Sequence, residues 1–248
     1  MLDLDTLHDA LNRGEFFLEY LPLMSVPDGR CVGAEALTRW RRDGRVIMPD
    51  QFIPAIEETP LSGLLTYWVI ETIAAEVGSW LRAHEGVQMA INVPPEILGR
   101  GGLEYAVSTA GLMDVLPKLV MEITERSVPD KLGVDALNRA ALRGVRIALD
   151  DVDLDGASAL VLSRCPIHVI KLDRALIAQL GHGDGHPPWL DRLAGLLQIS
   201  ALDIVAEGIE TEEQLRISVA AGIRLAQGFH FSRPLPASDF LDFFARHR

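Results

Sequence analysis

Polar side chains, all but one of them able to hold a cation, recur at one kind of position in this sequence. Glu35, Asn92, Glu122, the neighbours Asp150 and Asp151, Lys171 with Asp173, Glu207 and Gln227 each stand late in, or at the end of, a short apolar run. A single buried carboxylate is most simply a paired core charge. Several carboxylates brought to one place repel each other, and that repulsion must be offset by cations. Carboxylate and amide oxygens with no cysteine or histidine nearby favour a hard ion, Mg²⁺ or Mn²⁺, over Zn²⁺. Adjacent aspartates can serve two ions at once, one of the carboxylates bridging. Two such ions about 3.5–4 Å apart activate a water and clamp a phosphoryl oxygen, which is the chemistry of phosphodiester hydrolysis.

The elements that would carry these residues alternate between extended and helical patterns. Residues 16–23 and 31–40 read as two strands joined by the turn Pro27-Asp28-Gly29-Arg30, and a long helical region covers 61–84. Short apolar strands follow at 87–93, 119–124, 145–151, 168–173, 203–208 and 223–228, most of them trailed by a helix. Runs this short and this apolar suit a parallel sheet buried on both faces. Thr211-Glu212-Glu213-Gln214 is a capping box that opens one of the later helices. The expected fold is a modified (β/α)8, TIM-like barrel in which the opening hairpin makes one strand antiparallel, with 1–248 as a single domain. In such a barrel all strand C-terminal ends open onto one face, so the polar residues above converge on one mouth.

Composition narrows the partners. Hydrophobic residues make up 48% of the chain, enough for a sizeable core. The formal net charge of −12 argues against sequence-independent binding to a DNA or RNA duplex, so an anionic substrate needs local cations. The start Met1-Leu2-Asp3-Leu4-Asp5 is acidic, unlike a signal peptide, and the apolar stretch 64–80 contains Glu71 and Glu76, which reads as a core helix and not a membrane span. Cys31 and Cys165 lack metal-ligand spacing and read as buried thiols of a reducing compartment, which places the chain in the cytoplasm.

The same residues carry a family resemblance. Glu35-Ala36-Leu37-Thr38-Arg39-Trp40 resembles the signature that names EAL domains, and Glu122-Ile123-Thr124-Glu125 is similar to the family's E-x-T-E. Asp150-Asp151, Lys171-Leu172-Asp173, Ala206-Glu207-Gly208-Ile209-Glu210 and Gln227-Gly228 follow in the family's order, as do Phe52-Ile53-Pro54 and Phe231-Ser232-Arg233-Pro234-Leu235-Pro236. The resemblance implies a cyclic di-GMP phosphodiesterase that opens its substrate to linear pGpG. It also implies that Glu35, Asn92, Glu122 and Asp150 bind one metal while Asp150 and Asp151 help hold a second. Glu207 falls where the family has a carboxylate acting as base or metal-water partner. Lys171 would hold the attacking water, Gln227 would support the site, and Arg39 would face a substrate phosphate. Dimerisation near the loop after the paired aspartates is a further implication, giving a homodimer.

Two departures from the pattern stand out. Tyr20-Leu21-Pro22 lacks the family's glutamine between Tyr and Pro, which removes a substrate hydrogen bond of about 0.5–1.5 kcal/mol. After the aspartates, Val152-Asp153-Leu154-Asp155-Gly156 replaces a Phe- and Gly-containing loop. Gly156 would supply a shifted flexible point, and the retained Glu125 would steady the loop. These changes motivate a second expectation, a catalytically impaired cyclic di-GMP receptor, and a third, an interaction module without nucleotide. Asp151-x-Asp153-x-Asp155-Gly156 opens like an EF-hand, but its closing glutamate would fall at Leu162, so a polar active-site loop is the better reading. His182 and His186 read as loop residues, and Trp68 and Trp80 as helix core packing.

Overall fold

Alternation along the strands builds an inner and an outer core in the computed structural model, which describes residues 3–124, 129–154, 158–181 and 187–248. Helix α1 (Leu4–Asn12), N-capped by Asp3, precedes the hairpin of β1 (Phe16–Ser25) and β2 (Arg30–Arg42). The turn between them uses Gly29 at φ +68°, a left-handed conformation that suits glycine. A short strand β3 (Arg45–Ile47), not foreseen in the sequence, folds back on the end of β2. After α2 (Pro49–Ile56) and α3 (Pro60–Ala83) come β4 (Gln88–Asn92), α4 (Gly102–Thr109), β5 (Leu119–Thr124), α5 (Lys131–Leu142) and β6 (Arg146–Val152). Then follow α6 (Ser158–Arg164), β7 (Val169–Leu172), α7 (Arg174–Ile177), α8 (Pro188–Ile199), β8 (Asp203–Ala206), α9 (Glu212–Ala220), β9 (Leu225–Ala226) and α10 (Ala237–Arg246).

The sheet closes on itself as an eight-stranded barrel. Its order runs β1, β9, β8, β7, β6, β5, β4 and β2, and β2 pairs again with β1. β1 is antiparallel to both neighbours, and every other pairing around the ring is parallel. The TIM-like barrel with one antiparallel strand near the start is therefore the observed fold. Side chains on successive strand residues point to opposite faces, which explains two separate apolar layers. Outward residues such as Met89, Ile91, Ile147 and Ile170 pack under the helices, while Leu23, Ala90, Val120, Ala148, Val169 and Val205 form a small plug inside the barrel. The plug's small side chains fit the narrow lumen of an eight-stranded barrel, and they form its floor.

α3 starts at Thr59, whose hydroxyl accepts from Leu61 N, with Pro60 in the first turn where its missing N–H is harmless. It buries residues around much of its circumference, and Trp80 and Trp68 both pack into the core. Among the described residues no helix is long and apolar enough to cross a membrane. Cys31 and Cys165 are free and buried. The capping box at Thr211 is present, with Gln214 reciprocating. Glu125, Asp155, Gly156, His182 and His186 lie outside the described residues.

Candidate active site: a buried lysine ringed by carboxylates

One step above the plug, the next inward residue of each barrel strand except β1 is polar. Ala90 gives way to Asn92, Val120 to Glu122, Ala148 to Asp150, Val169 to Lys171, Val205 to Glu207 and Leu225 to Gln227, while β2 contributes Glu35. Period-two alternation in parallel strands of matching register is what stacks these residues in one layer.

Lys171 is the hub of that layer. Its Nζ lies 3.1 Å from Glu35 Oε2, 2.9 Å from Glu122 Oε1, 3.2 Å from Asp150 Oδ1 and 2.7 Å from Glu207 Oε1. Gln227 Nε2 donates to Glu35 Oε2 at 2.6 Å and to Glu207 Oε1 at 3.4 Å, and Asn92 Nδ2 donates to Glu35 Oε1 at 3.1 Å. Lys171, Glu35, Glu122 and Asp150 are buried, and four acids around one ammonium leave a negative excess.

The proton affinities follow from that imbalance. Burial pushes the Glu122 carboxyl well above its usual range, and the charges of Glu35, Asp150 and Glu207 push the same way against Lys171. Burial likewise lifts Glu207 to about 8, with the nearby Asp150 and Glu35 charges outweighed only in part by Lys171. Asp150 is raised, again mainly by burial. Glu35 goes the other way. Burial opposes its ionisation, yet the Lys171 charge and the hydrogen bonds from Gln227, Asn92 and Lys171 hold it below its usual value. Burial also works against the Lys171 charge, but Asp150, Glu122, Glu207 and Glu35 together keep its pKa well above the normal lysine value. Lys171 is thus a fixed cation across the physiological range.

The paired aspartates pose a geometric problem, because neighbours on a strand should face opposite ways. A bulge solves it. The β6–β7 register shifts between Leu149 and Val152, so Asp150 and Asp151 together stand opposite one stretch of β7, and Asp151 sits at φ +58°. Aspartate tolerates this left-handed conformation better than most residues. Leu154 takes the same conformation at φ +62° while its side chain packs on the core. Left-handed strain of this kind collects at functional loops.

Two carboxylate groups result. Ligand oxygens of Glu35, Glu122 and Asp150 lie within 4.8 Å of one another, and so do those of Asp150, Asp151 and Glu207, with Asp150 common to both. Glu122 Oε2 is buried without any hydrogen-bond partner. A buried acceptor left bare is costly, and an oxygen-only donor set with one bare atom and one shared carboxylate fits a pair of hard divalent cations.

The other singled-out residues fall outside this layer. Asp173 caps α7, accepting from Ala175 N at 2.5 Å. Arg39 stands four residues beyond Glu35 on β2, about 13 Å along the strand. Its Nε donates to Glu19 Oε2 at 2.8 Å and its Nη1 to the Thr38 carbonyl at 3.0 Å. Leu21 faces Glu35 across β1 and β2. Glu19 was not singled out from the sequence; its position two residues before Leu21 on the inward face of β1 was the available signal. An apolar cleft lies outside the barrel, between α3, α4 and α5, and is lined by residues such as Ile70, Leu103, Leu116 and Ala140. It holds none of the clustered carboxylates, so the chemistry belongs to the mouth.

Gly228 locks the rim next to Gln227. A Cβ there would overlap Ile209 N and O, the same atoms that bond Gln227 O at 3.1 Å and His230 N at 2.9 Å. Gly228→Ala is expected to destabilise the fold by about 1–3 kcal/mol and to lower turnover by displacing Gln227. Urea unfolding read alongside activity checks this, and a wild-type midpoint would contradict it.

An eight-stranded barrel with one reversed strand and a lysine-centred carboxylate layer at its mouth defines the class: this chain belongs to the EAL domain family. The model of that family, described as "EAL domain", matches residues 4–234. The chain is 31% identical over 245 residues to the probable cyclic di-GMP phosphodiesterase PdeB of Escherichia coli (strain K12), covering 97% of this chain and 47% of PdeB. It is 32% identical over 247 residues to MucR of Pseudomonas aeruginosa, named a bifunctional diguanylate cyclase/cyclic di-GMP phosphodiesterase, covering 96% of this chain and 36% of MucR. The chain therefore spans less than half the length of these curated relatives. A solved structure, the PaMucR phosphodiesterase in complex with c-di-GMP, matches with a TM-score of 0.84 at 32% identity, covering 96% of this chain and 98% of that one.

Proposed function

We propose that this chain is a cyclic di-GMP phosphodiesterase that cleaves one phosphodiester to give linear pGpG, using two divalent cations, Mg²⁺ or Mn²⁺. The observation that carries the proposal is Asp150, shared between two carboxylate groups around a buried and permanently charged lysine. Glu35, Asn92, Glu122 and Asp150 would hold one ion, and Asp150, Asp151 and Glu207 the other. When bound, the ions supply the Lewis acidity that activates a water and the positive charge that phosphoryl oxygens require. Lys171 donates to the attacking water and keeps it in line with the scissile P–O bond. Glu207, ionised once the cations are bound and held beside Lys171, takes the water's proton. Gln227 and Asn92 keep Glu35 ionised and oriented. Arg39 holds a non-reacting phosphate. As the P–O bond breaks, the leaving 3′-oxygen takes up a proton from solvent water, Glu207 returns its proton to solvent, and pGpG is released. A single domain over 1–248, a cytoplasmic setting and a homodimer through the loop after Asp151 belong to the same proposal, as does the absence of any role for a DNA or RNA duplex or a membrane.

Chromatography of cyclic di-GMP incubated with Mg²⁺ or Mn²⁺ tests this. pGpG should form and should vanish with EDTA. The loop strain at Leu154 and the missing glutamine at position 21 favour one second reading, a receptor, for which nucleotide would bind without being cleaved.

Proton linkage gives a further expectation. Burial raises the proton affinity of both Glu122 and Glu207 in the metal-free protein, Glu207 to about 8, and cation binding must displace the protons they hold. Cation affinity should therefore rise with pH up to about 8. Calorimetry in two buffers of different ionisation enthalpy should register proton release on Mg²⁺ or Mn²⁺ binding. Binding with no proton release would contradict the assignment of these two carboxyls.

A further inference from the structure

The guanidinium of Arg39 is already engaged before any ligand arrives. Its side chain is 5% exposed, and Glu19, 26% exposed, takes Nε at 2.8 Å while the Thr38 carbonyl takes Nη1. Among the described residues Nη2 has no partner, and it is not among the atoms sealed from solvent, so the group keeps one free corner. Arginine grips a phosphate best through two donors on one edge. Glu19 occupies the Nε side of the Nε–Nη2 edge. Only the Nη1–Nη2 edge is left, and Nη1 is shared with Thr38.

Charge points the same way. When the mouth's acids are ionised, Glu35, Glu122, Asp150, Asp151, Glu207 and Glu19 face, among the described residues, only Lys171 and Arg39. That excess of four negative charges is cancelled by two divalent ions, so no positive surplus remains for a dianionic nucleotide. Without Glu19 the loaded mouth would carry one surplus positive charge beside Arg39. Glu19 faces Leu37 and Arg39 faces Phe17 across the β1–β2 hairpin, so the pair is diagonal. It could be read as a strand-stabilising ion pair alone, and the two roles predict opposite results.

We infer that Glu19 is a positioning residue that competes with the substrate phosphate for Arg39 and so sets a deliberately weak affinity for the nucleotide. This rests on the proposed reading of the site as a cyclic di-GMP phosphodiesterase. Together with Leu21 in place of a hydrogen-bonding side chain, it makes the site one that responds to high nucleotide concentrations.

The test is Glu19→Gln, which preserves shape and an acceptor for Nε but removes the charge. KM for cyclic di-GMP should fall about fivefold, as expected for one charge near a phosphate in a partly screened site, with kcat changed less than twofold. Equilibrium binding of the product pGpG should tighten by the same factor. In an Arg39→Ala background the substitution should change neither value, which places the effect on Arg39. An unchanged or raised KM, with or without a lower melting temperature, would overturn the inference and leave the pair as a structural one. So would an equal gain in the Arg39→Ala background. Wild-type protein that neither cleaves nor binds cyclic di-GMP would instead remove the underlying reading, and the inference with it. Wild-type turnover with no effect of Glu19→Gln would remove the inference alone.

Discussion

Glu35→Gln is expected to reduce cyclic di-GMP turnover by about 10³-fold while the protein stays folded. Glu35 is the acid that the site works hardest to keep ionised. Asn92, Gln227 and Lys171 all donate to it, and its pKa is held low despite complete burial. An amide in its place turns an acceptor toward a ring of donors into a group that is itself half donor. It also removes one of the three carboxylates that share the Glu35–Glu122–Asp150 cluster. The loss is thus of both charge and geometry at the cation site, where the transition state's negative charge must be met. Initial rates of pGpG formation against matched wild type measure it, with circular dichroism as the check on folding. Retention of a tenth or more of the wild-type rate would take Glu35 out of the centre.

Lys171→Met acts on stability as well as chemistry. In the metal-free protein Lys171 is the one cation among the described residues in contact with Glu35, Glu122, Asp150 and Glu207. Removing one partner from a buried ionic cluster leaves uncompensated charge and typically costs about 3–5 kcal/mol. Protonation of Glu122 and Glu207, whose pKa values are already raised, limits that cost, and raising the pH past about 8, where Glu207 ionises beside Lys171 in the wild type, should enlarge it. Mg²⁺ or Mn²⁺ should recover much of the loss by binding the freed acids more tightly. Urea unfolding in EDTA and in saturating cation, at two pH values, resolves these effects. A Lys171→Met protein as stable as wild type in EDTA would mean that the acids do not depend on this lysine.

Much of this site could be read from the sequence because period-two alternation in short apolar strands has a strict consequence. If Val120 is inside, Glu122 is too, and the same holds for Val169 and Lys171 and for Val205 and Glu207. The antiparallel start was legible from the hairpin turn at Pro27 to Arg30. What stayed hidden depends on contacts made in three dimensions. Alternation alone sends Asp150 and Asp151 to opposite faces, and nothing local announces the bulge that brings both to the mouth. The flexible point expected at Gly156 lies outside the described residues, and in the described part of that loop the left-handed positions are Asp151 and Leu154, neither of them a glycine that would announce the conformation. Lys171 was foreseen as a partner of the attacking water, but its position among four acids required the barrel to close. Glu19 carried only the weak signal of its inward register on β1, because a glutamate on a half-exposed strand is ordinary until Arg39 is seen beside it.

The most direct measurement is a Mn²⁺ titration of EDTA-stripped protein with cyclic di-GMP present, counting bound ions by electron paramagnetic resonance while pGpG is followed by chromatography. The account predicts two ions bound per chain, with pGpG forming as the second site fills and neither ion count nor product surviving in Glu35→Gln. Two bound ions beside intact cyclic di-GMP, or pGpG formed without any bound ion, would contradict it.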